Sequence, residues 1–448
     1  MGVSSVKCSS TLILLISVLF HQKSLKFISH NLYNSPHYNL QIANMSHLLD
    51  LSILKKNRDF TLLYLGQFIS FIGTMITSVA LPYQIYHLTE STMMVGLLSL
   101  AQLLPLLITA LLGGVFADRY SRRGLLIISE LLLAVGCLFL AFNSKLVNPS
   151  VSLIFIIASL MSAITGLHRP AFDSVIQQIV KPEDYKKVGA LGSFKFSFCM
   201  IIGPAAAGLI IAQYGIVITY LIDLLTFIIS LLNLSLMHTI PKPLAKEHPS
   251  IIVSLKEGIG FALRRQELMG SYFVDFFAMV FAMPNALLPA IAQQFGGAKT
   301  LGLLYAAPAI GSLIISFVSG WTAKITHDGK AIAIAAALWG AAIIGFGLTT
   351  SLWLSLLFLA LAGAFDAISG IFRSSLWNHT IPQELRGRLS GIEMISYLSG
   401  PRLGDTRAGF VAAGLGIPAA LISGGILCII GVTVCCYALP KFWNYHSK

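Results

Sequence analysis

Residues 113–124 read GGVFADRYSRRG, a charged segment wedged between two apolar runs. VGLLSLAQLLPLLITALL (95–112) precedes it without a charge, and LLIISELLLAVGCLFLAF (125–142) follows with only Glu130. About 20 apolar residues in helical form cross the hydrocarbon core of a bilayer. Two such runs held apart by Asp118, Arg119, Arg122 and Arg123 read as membrane helices joined by a polar loop.

The same pattern fills the chain. Of its 448 residues 56% are hydrophobic and 11% charged, with mean hydropathy +0.80. Soluble domains carry about 25% charged residues, so a soluble protein is excluded. The runs are continuous rather than alternating, which favours helices over a β-barrel. The net charge of +12 fits basic residues gathered on the cytoplasmic side of a membrane. No basic patch interleaved with aromatics is present, so no nucleic-acid partner is expected. Cys137, Cys199, Cys428, Cys435 and Cys436 lie in apolar runs, and Cys8 in the leader, without disulfide or metal spacing. HExxH, GxSxG and Walker motifs are missing; neither an enzyme nor a cofactor or metal is expected.

Apolar spans fall near 60–82, 94–113, 124–143, 151–171, 190–212 and 216–237, then near 271–292, 301–322, 331–350, 353–374, 389–412 and 416–438. This predicts an all-α membrane protein of twelve transmembrane helices in two pseudo-symmetric six-helix bundles, 60–237 and 271–438. A cytoplasmic linker (238–270), an N-terminal extension (1–59) and a tail (439–448) complete the plan. Residues 1–44 read as an upstream extension, with Met45 as the working initiator. Outer loops hold only Lys145 and Lys299, whereas the inner ones carry clusters such as Lys181, Lys186 and Lys187. Both termini are therefore expected in the cytoplasm, and GGVFADRYSRRG on the same side. KPEDYKK (181–187) is echoed by IPQELRG (381–387), and GGVFADRYSRRG more faintly by GWTAKITHDGK (320–330). A doubled six-helix plan is that of a transporter, with substrate held between the halves.

Gly114 to Arg123 resembles the inner-loop signature of the major facilitator superfamily, Gly-x-Leu-Ala-Asp-Arg-x-Gly-Arg-Lys, with Phe116, Ser121 and Arg123 as departures. LGLLYAAPAIGSLIISFVSG (301–320), TIPQELRGRLSG and SGPRLGD (399–405) look like the branch of enterobactin exporters and macrolide-efflux permeases. That likeness covers residues 50–440. It implies a monomeric, proton-driven exporter of a small organic molecule, such as a siderophore or drug, in the bacterial inner membrane. An uptake permease for a siderophore or metabolite is the alternative, and a transport-dead receptor on the same fold a remote one. Gly203, Pro204 and Gly208 match part of an exporter motif, with Cys199 and Ala207 where glycines are usual. In relatives the loop arginines latch onto an acid at the end of the fourth span. Carried over, Arg119 or Arg122 would meet Asp173, near Arg169, and Asp118 the start of the eleventh helix.

Ionisable groups inside a membrane need partners or a wet cavity. Asp366 lies mid-span without a cation at helical spacing, so its protonated state is expected to be accessible; it is the expected proton carrier. Arg402 and Asp405 are three apart and expected to pair or to meet substrate. Asp223 and Asp275 are further candidates, and Glu393 and Arg407 bracket the eleventh span.

Overall fold

The computed structural model describes residues 50–238, 260–382 and 386–447; the side chains of 114, 115, 117–119, 386–388 and 390–395 fall outside the description. The extension 1–44 and most of the linker 238–270 also lie outside the described residues. Among the described residues eleven long helices follow one another: α1 (Arg58–Thr89), α2 (Thr92–Arg119), α3 (Arg122–Lys145), α4 (Val151–Ile179), α5 (Tyr185–Leu236), α6 (Gln266–Ala282), α7 (Ala298–Val318), α8 (Asp328–Leu348), α9 (Leu352–Thr380), α10 (Arg386–Leu415) and α11 (Ile417–Ala438). Ten of them, α6 counted with its continuation to Gln294, are long and apolar enough to cross a membrane. The spans expected at 190–212 and 216–237 are one continuous element, α5, which turns at Gly215 with φ 79°. Only glycine adopts that left-handed backbone at little cost. The exception is α10, whose Arg402, Asp405 and Arg407 lower its apolarity.

Short polar residues start the helices. Asn57, Ser91, Ser121 and Ser150 each accept from a backbone N–H in the first turn of α1, α2, α3 and α4, satisfying donors the helix itself leaves unpaired. The stretch 113–124 is therefore not the loop its charge suggests. Helix α2 runs on through Arg119, only Tyr120 and Ser121 intervene, and α3 begins at Arg122. Ser121, a departure from the family signature, is the cap: its Oγ accepts from Gly124 N–H at 2.9 Å. Ser121→Ala is expected to cost about 1 kcal/mol, read as a lower melting temperature of the detergent-purified protein. Ser121→Asp should preserve it.

Helix α1 packs on both legs of α5, α2 on α4, and α3 on α4 and α5; beyond the linker α8 packs on α9 and α11, α7 on α9, and α6 on α10 and α11. The early helices meet the late ones chiefly through α2 with α10 and α5 with α7, and more lightly through α1 with α7 and with Leu288–Gln294, and α2 with Asn285–Leu287. The turns at 120–121, 180–184 and 325–327 lie at one end of the bundle, called here the basic end. There the early helices are laced together. Asn57 Nδ2 donates to Ile179 O at 2.7 Å, and Arg122 Nη1 to Ser174 O at 3.2 Å. Arg123 donates to Leu234 O and Ser235 O at 2.9 and 2.7 Å, and His238 N–H to Asp59 Oδ1 at 3.2 Å.

Candidate functional site

On α9, Asp366 and Arg373 are seven residues apart, two turns along one face. Arg373 Nη2 stands 3.6 Å from Asp366 Oδ1, and Nη1 pairs closely with Asp275 on α6. The expectation that Asp366 has no cation is thus corrected: spacing of i+7 returns to the same helical face. The side chains of Arg373 and Asp275 are 13% and 14% exposed, and that of Asp366 is 42%. Tyr397 on α10 lies within electrostatic reach of both Asp366 and Arg169 on α4. Asp366 is thus the exposed member of a charged set whose other two members, Arg373 and Asp275, are nearly buried between α9 and α6.

Arg402 and Asp405 stay within electrostatic reach of each other, but each finds its hydrogen-bond partners on other segments. Arg402 Nη1 donates to Gln102 Oε1 on α2 at 2.5 Å. Asp405 Oδ1 accepts from Ala286 N–H at 3.0 Å, and Oδ2 stands 3.4 Å from Ser99 Oγ. Ala286 belongs to a break: α6 stops at Ala282, a tight turn spans Asn285–Leu287, and Leu288–Gln294 resumes the helix. A break leaves backbone groups unpaired, tolerable in a membrane only where protein supplies partners. Asp405 takes the orphan N–H. Arg407 serves the other side, donating to Phe281 O, to Ala420 O at 2.9 Å and to Ser423 Oγ at 3.0 Å. Asp405→Leu should cost about 1–3 kcal/mol through the unpaired N–H, visible in thermal unfolding, while Asp405→Asn retains an acceptor and should melt near wild type.

Asp223 is fully buried among Thr77, which donates to it, Cys137 Sγ at 3.3 Å and Thr226 Oγ1 at 3.1 Å. It pins α1, α3 and α5 together. Sequence reasoning passed over two neighbours. Glu130, 1% exposed, is held by Gln67 Nε2 at 2.5 Å and lies 3.2 Å from His168 Nε2. The Lys195 ammonium lies over the Phe172 ring, 4.6 Å from its centroid, within electrostatic reach of Arg169, Asp173 and Glu130. The signal for Glu130 was its isolation as the one acid in an apolar run.

Of the signature stretch, the side chains of Gly114, Asp118 and Arg119 are outside the described residues, as is that of Glu393. Arg122 reaches Ser174 O, one residue from Asp173, and Arg123 covers carbonyls at the end of α5. Gly203 packs on Met75 of α1, and Gly208 forms a seam with α7. A Cβ at Gly208 would lie 2.5 Å from Ala298 O, and one at Gly302 would lie 2.6 Å from Pro204 O. The other seam repeats this. A Cβ at Gly96 would lie 2.9 Å from Asp405 O, Thr406 Oγ1 donates to Gly96 O at 3.1 Å, and Thr92 Oγ1 to Gly409 O at 3.2 Å. Both seams sit in the half of the bundle remote from the basic end. No group of three or more His, Cys, Asp or Glu among the described residues is placed to hold a metal.

Residues 51–446 match the family model described as transmembrane secretion effector, within the major facilitator superfamily. The chain belongs to the major facilitator superfamily. It is 30% identical to the enterobactin exporter EntS of Shigella boydii serotype 18 over 390 residues, 86% of this chain and 93% of that one. Its identity to the EntS of Escherichia coli O1:K1 is 29% over the same shares. Among solved structures it is similar to the nucleoside transporter NupG (TM-score 0.68, 12% identity, 86% of this chain and 100% of that one). A bacterial homologue of the lysosomal transporter Spinster, captured inward-facing and unoccupied, gives TM-score 0.67 at 14% identity over 87% and 98%. Major facilitator proteins are membrane transporters of small molecules, and the chain is a multi-pass membrane transporter.

Proposed function

We propose that this transporter is a proton-coupled exporter of a small organic molecule, of the siderophore or drug class, working as a monomer in the bacterial inner membrane. The observation that carries the reading is the Asp275–Arg373–Asp366 set in mid-helix, with Asp366 still 42% exposed, in a chain aligned with enterobactin exporters over 86% of its length. On this reading the chain crosses twelve times in two six-helix bundles. The two legs of α5 on either side of Gly215 count as two crossings, and the charged α10 as one. The basic end faces the cytoplasm under the positive-inside rule. The described state is then closed outside by the two glycine seams, and its hollow opens to the cytoplasm.

Arg373 is shared between two acids, and that sharing supports coupling. When Asp366 takes a proton, the guanidinium turns wholly to Asp275; when the proton leaves, both acids compete for it again. One charge crossing about 100 mV releases about 2.3 kcal/mol, enough for about a fiftyfold gradient of substrate per proton. Asp118 and Arg119, at the end of α2, would act as a latch at the cytoplasmic face once the hollow closes.

The purified protein in liposomes, given enterobactin and an imposed pH gradient, tests this. Movement of enterobactin against the flow of protons, lost in Asp366→Asn, is expected. Movement along with protons would replace export by uptake, and movement indifferent to the pH gradient would remove proton coupling.

A further inference from the structure

Glu130 lies about two turns into α3 from its basic end, and a buried ionised carboxyl there needs compensation. Its Oε1 accepts from Gln67 Nε2 at 2.5 Å and stands 3.2 Å from His168 Nε2, and Ser70 Oγ lies 3.3 Å from both oxygens. The groups around it come from every packed helix. Helix α1 gives neutral Gln67 and Ser70. From α4 come His168, Arg169 and Asp173, and from α5 Lys195 and Asp223, both within electrostatic reach of Glu130. On α3 itself, Arg122 and Arg123 stand two turns toward the basic end and Cys137 two turns beyond.

The pair is graded in wetness: the His168 side chain is 17% exposed and Glu130 1%. His168 stacks on Phe172, at 6.4 Å and 11°, and Phe172 in turn lies under Lys195. The imidazole is thus the water-accessible member of the pair and the carboxyl the buried one. Histidine is the side chain whose charge changes most readily near neutral pH.

We propose that Glu130 and His168 form a second proton-binding site, on the early helices, loaded through the imidazole. A proton taken from water at Nδ1 and passed from Nε2 to Oε1 leaves the imidazole neutral and the carboxyl uncharged; release reverses both transfers. The role in transport rests on the proton-coupled reading above, while the proton site itself does not.

Infrared difference spectra of the reconstituted protein between about pH 8 and about pH 5 test the site without any substrate. A protonated-carboxyl band that grows on acidification in the wild type should be missing in Glu130→Gln. In His168→Asn the band should still grow but more slowly after an acid jump, because the imidazole relay is gone. In liposomes holding a pH-sensitive dye, Glu130→Gln should about halve the protons moved per enterobactin, since Asp366 still carries its own, with a smaller fall in exchange of labelled for unlabelled enterobactin. An unchanged band in Glu130→Gln, or an equal fall in exchange and proton movement, would overturn the proposal. A wild type that shows the band but moves no proton with enterobactin would instead overturn proton-coupled export and leave the pair a proton site without that role.

Discussion

Arg373→Gln is expected to cut transport about a hundredfold or more, the equivalent of about 2.7 kcal/mol, and to lower the melting temperature at the same time. The two losses have separate causes. Asp275 and Arg373 are each about one-seventh exposed, and removing one partner of such a pair typically costs about 3–5 kcal/mol because the other charge is left uncompensated. Asp366 contributes less to stability, since at 42% exposure water screens it; its loss is expected to show in transport. Arg373→Lys keeps the charge but offers a single ammonium where a planar fork met two carboxylates, so an intermediate rate is expected. Pairing Arg373→Gln with Asp275→Asn removes the stranded charge. That double variant should regain most of the melting temperature without regaining transport. Wild-type transport in Arg373→Gln would sink the assignment.

The second large effect concerns the seams. Gly302→Leu should drive the molecule out of the described state, because even the Cβ would lie 2.6 Å from Pro204 O and 3.1 Å from Gly208 Cα. Neither neighbour is a flexible side-chain tip, so relief comes only by parting α5 from α7. Overpacking of this kind costs about 1–3 kcal/mol, and about 3 kcal/mol brings a 99:1 equilibrium near parity. Spin labels on Val147→Cys and Thr350→Cys, both at the end remote from the basic loops, should report a longer separation in Gly302→Leu. Gly302→Ala should give a smaller fraction of it. An unchanged distance distribution in Gly302→Leu would show that the seam yields by local adjustment.

Much of the fold was legible in the sequence because continuous apolar runs punctuated by charge leave few alternatives in a membrane. Helix lengths were underestimated at the basic end, where α2 and α4 run on to Arg119 and Ile179; hydropathy marks where the hydrocarbon ends, not where the helix does. The candidate site was less legible. Asp366 and Arg373 share a face by spacing alone, a sign that was available and passed over. The Asp275–Arg373 pair and the contact of Asp405 with Ala286 join different helices, and their rotation is hidden when every face is apolar. The span read near 271–292 breaks at Asn285–Leu287, and nothing in the chain order said that Asp405 and Arg407 would mend it.

The lacing at the basic end closes on itself. Asn57 ties α1 to α4, Arg122 ties α4 to α3, Arg123 ties α3 to the end of α5, and His238 returns to Asp59 on α1. Four helices so hooped cannot slide individually without breaking the circle at its weakest stave. Whatever motion the transport cycle demands must then be taken up where the early and late helices meet, at the two glycine seams, with the hooped helices swinging as one solid body. Two arginines of GGVFADRYSRRG, Arg122 and Arg123, are rivets in that hoop, so the segment is anchored to a part that moves whole.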